Sequence, residues 1–253
     1  MSSVSNLQRV RQIFEEEAER HGLNGVLGVA AFNSVLRALM PVQRRRLEEL
    51  CGGELPALLE GGSVISIAYA YPEHAIDVIA LKKGEDYDKD SWNRYAAEYK
   101  RLNWALNATA ERLAEETGGV AIPATMTGVA EKVEHVEDFY ARVVSHRVAA
   151  EQSGVGWRGK NELIVNPRFS CAIRLASVVT ALPLERTLPL EGGCGACRAC
   201  LDACPFLRFK ERLDNYREQC RRYIVHLGLD AEVCGKCIKA CYRDGIYRDQ
   251  FRL

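Results

Sequence analysis

Eight of the chain's ten cysteines fall between Cys194 and Cys241, and only Cys51 and Cys171 precede them. A disulfide scaffold spreads its cysteines through a small secreted chain. This chain has 253 residues, enough to bury a core without covalent staples. The crowding therefore points to metal, and the spacing says which kind. The first group reads Cys194-x2-Cys197-x2-Cys200-x3-Cys204 with Pro205 next, and the second is Cys220 followed by Cys234-x2-Cys237-x3-Cys241.

The first group has the spacing of the bacterial ferredoxin run that holds 4Fe–4S clusters. Each iron of a cubane takes one thiolate. The tight turn serves three irons of one cluster, and the cysteine before proline turns away to the other. By that logic one cluster takes Cys194, Cys197, Cys200 and Cys241, and the second takes Cys204, Cys220, Cys234 and Cys237. The second group departs from the standard run in two ways: a helical insert separates Cys220 from Cys234, and Tyr242 stands where proline is usual. A pair of zinc sites is the competing reading, and it leaves the third cysteine and the Cys204-Pro205 step unexplained. Cys51 and Cys171 read as ordinary buried thiols.

Two interlocked clusters relay single electrons, and the long segment ahead of Cys194 is the natural recipient. That segment interleaves helices and strands. Ser5 and Gln8 form a capping box for a helix that Gly22 stops. The run 63–71 (SVISIAYAY) is β-branched and apolar, hence a central strand. Over 91–116, Tyr95, Tyr99, Leu102, Leu106, Thr109 and Leu113 make one helical stripe. A further helix is predicted over 136–152, with strands over 120–125, 162–166 and 175–182. Pro183, Pro189, Gly192 and Gly193 punctuate a linker. The expectation is an α+β chain with an α/β layered domain at 1–185 and a small ferredoxin-like double-cluster domain at 186–253.

Lys and Arg number 34, as do Asp and Glu, so the net charge is zero and no long-range pull on nucleic acid or anionic membrane is expected. No stretch reaches the ~18 apolar residues that span a bilayer. The N-terminus carries no apolar signal core, and a cytoplasmic location is expected.

Three further segments carry a likeness to a known family. They are 154–161 (GVGWRGKN), 163–168 (LIVNPR) and 174–184 (RLASVVTALPL), followed by the cysteine runs. Together they resemble the epoxyqueuosine reductase family, which is related to reductive dehalogenases. The resemblance implies reduction of an epoxide on a tRNA nucleoside with cobalamin and two 4Fe–4S clusters, and a cobalamin domain similar to a flavin nitroreductase fold. It makes Gly156, Gly159, Lys160 and Asn161 candidates for cofactor contact, cobalamin first and FMN as the alternative. The family carries an acidic proton donor some seventeen residues before the Gly-Trp step, and here that slot holds Tyr140. Tyr140 and His146 are therefore the candidate proton donors, with Arg142 and His146 as the nearby cations. The segment 144–147 (VSHR) resembles shorter iron–sulfur proteins of this type. Family members also carry a C-terminal helical-repeat domain that grips tRNA, whereas this chain ends at Leu253. Zero net charge and that difference make tRNA a disfavoured partner.

The expectation is an oxidoreductase fed by a ferredoxin- or flavodoxin-like donor and acting on a nucleoside or small organic substrate. Its rival is a non-catalytic electron carrier, or a reductase that activates a partner's corrinoid or flavin. Phe206 and Ile238, beside cluster cysteines, are expected to keep water off them. Arg208, Arg212, Arg217, Arg221 and Arg222 read as solvated faces of the insert.

Overall fold

A computed structural model describes residues 5–81, 88–125 and 133–246. The chain opens with helix α1 (Asn6–His21). The Ser5 hydroxyl accepts from the Gln8 amide, Gln8 returns a bond to the Ser5 amide, and Gly22 closes the helix at φ 61°. Then come β1 (Gly25–Ala31), α2 (Phe32–Ala38), α3 (Pro41–Cys51), α4 (Leu55–Gly61), β2 (Ser63–Ala70) and α5 (Glu73–Asp77). The long α6 (Lys89–Thr117) leads to β3 (Val120–Ile122), α7 (Val136–Tyr140) and α8 (His146–Gln152). A small hairpin of β4 (Trp157–Arg158) and β5 (Ile164–Val165) precedes β6 (Ile173–Thr180). The cysteine segment holds α9 (Ala199–Ala203), α10 (Pro205–Arg208), α11 (Tyr216–Leu227) and α12 (Lys236–Asp244).

The main sheet is antiparallel in the order β1-β2-β6-β3. All eight residues of β2 are buried, because helices cover both faces of the sheet. Ile65, Ile67 and Tyr69 pack with α1 and the α6 stripe, whereas Val64 faces a cluster built on α2, α3 and α8. Across β2 and β6, Ile65 pairs with Val178 and Ile67 with Ala176, which continues the first face. This is a mixed helix-and-sheet chain, as expected from the interleaved pattern.

The helix predicted over 136–152 is two helices. Residues 141–145 break it, and His146 opens the second half with the opposite task of filling the core. Apolar spacing alone carried through the break because both halves bury apolar residues.

The cysteine segment does not stand apart. Leu227, Ala231, Val233 and Ile238 join the same apolar cluster as Trp92, Tyr95 and Ile79. Polar ties reinforce the contact: Trp92 Nε1 donates to the Cys234 carbonyl at 2.9 Å, and Lys239 Nζ donates to the Asp77 and Ile79 carbonyls at 2.8 and 2.6 Å. Arg243 forms ion pairs with Glu73 and Asp77.

Candidate functional site

The eight cysteines of the C-terminal segment gather into two neighbourhoods. The charges acting on Cys200 come from Cys241, Cys194 and Cys197. Those acting on Cys220 come from Cys234 and Cys204, and Cys237 feels Cys234, Cys220 and Cys204 before it feels Cys200. Burial first, and neighbouring thiols second, push Cys200 and Cys220 up to about 12. Closely gathered, partly desolvated thiols resist becoming thiolates unless a cation compensates. Among the described residues no three His, Cys, Asp or Glu side chains are arranged to hold a single metal ion. A four-iron cluster asks for a wider set, since each ligand serves its own iron.

A cavity of about 1080 Å³ lies between the helices of the N-terminal body and this segment. Cys204, Cys220, Cys234 and Cys237 all line it. So do Tyr140 at the end of α7 and Asn161 in the β4–β5 turn. Phe206 and Tyr223 close part of the wall, their rings 5.8 Å apart. The volume exceeds what a small metabolite needs.

The glycine-rich turn divides its labour. Gly156 and Gly159 lie away from the cavity lining, and both are close-packed in the hairpin. A Cβ on Gly156 would sit 2.4 Å from the Val165 carbonyl oxygen, and one on Gly159 would sit 2.8 Å from Val165 Cγ2. Lys160 Nζ donates to the Gly195 and Cys197 carbonyls at 2.7 and 2.9 Å. It thus clamps the first cysteine turn onto the hairpin. Asn161, alone of the four, reaches both the cavity and a sulfur: its Nδ2 lies 3.3 Å from Cys171 Sγ.

Cys171 is not merely a packed thiol. Its thiol neighbours Cys241 and lies 3.9 Å from the Cys237 carbonyl, and the nearness of Cys171, with Ser170, draws the Cys241 thiol below the ordinary range. Sequence gave no signal for this contact beyond the position of Cys171 next to the hairpin.

The two candidate proton donors part company. Tyr140 lines the cavity, beside Arg147 and Arg217. His146 is buried in the core, with Nδ1 2.9 Å from Ser177 Oγ and Nε2 2.8 Å from the Pro123 carbonyl. A carbonyl only accepts, so Nε2 carries the proton and Nδ1 accepts from the serine. Burial lowers the His146 pKa from 6.5 to about 4. The unfolded chain therefore takes up a proton that the folded chain refuses. Stability is expected to fall by on the order of 3 kcal/mol as pH drops from about 6.5 to about 4. His146→Gln should flatten that slope in urea unfolding followed against pH; parallel profiles would refute the assignment.

Arg221, read as solvated, is only 13% exposed, whereas Arg217 keeps an exposed side chain. Both line the cavity. Arg221 is held by Glu218 at 2.7 Å and by the Val133 and Glu134 carbonyls.

No protein-family model matches the chain. An epoxyqueuosine reductase of Bacillus anthracis is 30% identical over 156 residues, covering 59% of this chain and 37% of the relative. One from Pseudomonas aeruginosa is 28% identical over 195 residues, covering 74% and 46%. The chain is a relative of the epoxyqueuosine reductases. It spans less than half the length of either of these relatives. The solved epoxyqueuosine reductase of Streptococcus thermophilus shares the fold, with a TM-score of 0.51 at 19% identity over 94% of this chain and 67% of that one. Another, solved with an epoxyqueuosine-modified tRNA stem loop, gives a TM-score of 0.40 at 22% identity over 78% of this chain and 53% of that one. Nothing in these comparisons supports disfavouring tRNA. Among the described residues no helix is long and apolar enough to cross a membrane.

Proposed function

We propose that this chain is an iron–sulfur reductase. In this reading, residues 1–185 form a nitroreductase-like body and 186–253 a ferredoxin-like cap with two 4Fe–4S clusters. One cluster takes Cys194, Cys197, Cys200 and Cys241; the other takes Cys204, Cys220, Cys234 and Cys237. The observation that carries the reading is the cavity on which all four cysteines of the second set open, together with Tyr140 and Asn161. The pairing of thiols in space, reached from distant parts of the segment, supports the two sets.

The cavity's size suits a large cofactor, which the family likeness makes a cobalamin, with FMN as the alternative. Such a group, when bound, supplies two-electron reduction of an organic substrate from electrons that arrive singly. The chain's own residues do the rest. Lys160 fixes the first cysteine turn, Asn161 orients Cys171 against Cys241, and Phe206 and Tyr223 exclude water. Tyr140 holds a proton at its hydroxyl on the cavity wall. The substrate is a modified nucleoside of the epoxyqueuosine type or a small organic molecule, and the donor is a low-potential ferredoxin or flavodoxin.

Anaerobic reconstitution with iron and sulfide, followed by cobalamin, tests this. The expected result is about eight irons per chain, a retained cobalamin with a base-off spectrum, and turnover of epoxyqueuosine. A zinc-loaded, colourless protein would overturn it. Clusters with neither cobalamin nor FMN retained would point instead to an electron carrier.

A further inference from the structure

Positive charge is in excess at the hairpin end of the cavity. Arg217 Nη2 lies 3.4 Å from one carboxylate oxygen of Glu162, and Lys210 Nζ lies 3.5 Å from the other. Among the described residues, Arg147 donates to the Glu162 backbone carbonyl at 2.8 Å. The nearby Arg158 is already engaged with Glu151 at 2.7 Å. Two cations thus share the Glu162 carboxylate and a third, Arg147, sits on its backbone carbonyl, leaving a local surplus of about two charges. Burial and repulsion from Arg158 and Arg217 disfavour the charged form of Arg147. A desolvated guanidinium in that position is costly without a counter-charge. Beside it the Tyr216 hydroxyl is buried next to Arg217 without a well-formed hydrogen bond. Arg147, Arg217 and Tyr216 all face the cavity.

The cysteines do not account for this charge. The cation acting on Cys234 is Lys236. Two planar guanidinium groups and a phenol, with a surplus of about two charges, match a phosphate in number of donors and in charge.

We propose that Arg147 and Arg217, with the Tyr216 hydroxyl, form a phosphate-binding subsite on the cavity wall. It rests on the reading of this cavity as the ligand chamber. The phosphate belongs either to the substrate, as in a nucleotide, or to the bound cofactor itself.

The test measures inorganic phosphate binding to the iron-reconstituted chain by calorimetry, with and without cobalamin or FMN loaded. Arg217→Gln and Arg147→Gln are each expected to weaken phosphate binding at least tenfold. Arg46→Gln, on α3 and paired with Glu49, should leave it unchanged. Phosphate that still binds after cofactor loading assigns the subsite to substrate; phosphate excluded by loading assigns it to the cofactor. Absence of binding in the parent chain, or equal binding in Arg217→Gln and Arg46→Gln, overturns the proposal. If Arg147→Gln does not fold, Arg217→Gln decides alone, since its side chain is 44% exposed. Iron content and cofactor retention are read on the same samples. Should these stand while phosphate fails, only the subsite falls; should iron be absent, the reductase reading falls.

Discussion

Cys220→Ala is expected to halve the iron of the anaerobically reconstituted chain, from about eight ions to about four. Cys220 sits on α11 and opens on the cavity with Cys204, Cys234 and Cys237. The thiols acting on it are those of Cys234 and Cys204, so its loss should remove one set and spare the other. Cys220 is a cleaner choice than Cys241. Cys171 already touches Cys241 and could step in as a ligand when that thiol is removed. No such spare is apparent near Cys220 among the described cysteines. Cys51→Ala, in the cluster built on α2, α3 and α8, should leave iron unchanged. The loss should also lower the unfolding midpoint, because ligand binding and folding of the cap are coupled. Iron near eight in Cys220→Ala would mean that the ligand sets are drawn wrongly.

The cysteine spacing and the long amphipathic α6 were legible in the sequence because each is a local pattern. Spacing of two and three residues keeps the thiols of one turn together, and a stripe of Tyr95, Tyr99, Leu102 and Leu106 states which helix face is buried. What escaped was set by contacts far apart in the chain. Lys160 finds its partners at Gly195 and Cys197, more than thirty residues on. His146 is spoken for by Ser177 on β6 and by the Pro123 carbonyl. Arg217 looks like any arginine of an exposed helix until α11 is docked over the cavity. The break at 141–145 was hidden for a related reason: α7 packs toward α11, whereas α8 packs on the sheet, and both contacts want apolar residues. Gly156 and Gly159 stood out in the sequence as candidates for cofactor contact, and in the hairpin their lack of a Cβ also permits the close approach of β5.

Tyr140→Phe tests the chemistry that remains. A proton donor of high intrinsic pKa needs positive charge close to its oxygen, so that the phenolate left behind is stabilised. Neighbouring Arg142 and His146 looked suited to that task in the sequence. His146 is turned into the core, and the cations beside Tyr140 are instead Arg147 and Arg217. Arg217 reaches it from α11, bringing the cysteine segment into the donor's environment. Removing the hydroxyl leaves the ring, so packing and cavity shape are kept. The expected outcome is turnover of epoxyqueuosine slowed by about 10²-fold or more, with iron content and cofactor retention as in the parent chain. His146→Gln separates a chemical effect from a structural one: it should weaken folding at neutral pH without a comparable loss in turnover per folded chain. The solvent deuterium isotope effect sharpens the point, since a step limited by proton delivery should show it in the parent and lose its usual pH profile in Tyr140→Phe. An unchanged rate in Tyr140→Phe would clear this residue and leave the proton to a group carried by the substrate or by water held at Arg147 and Arg217.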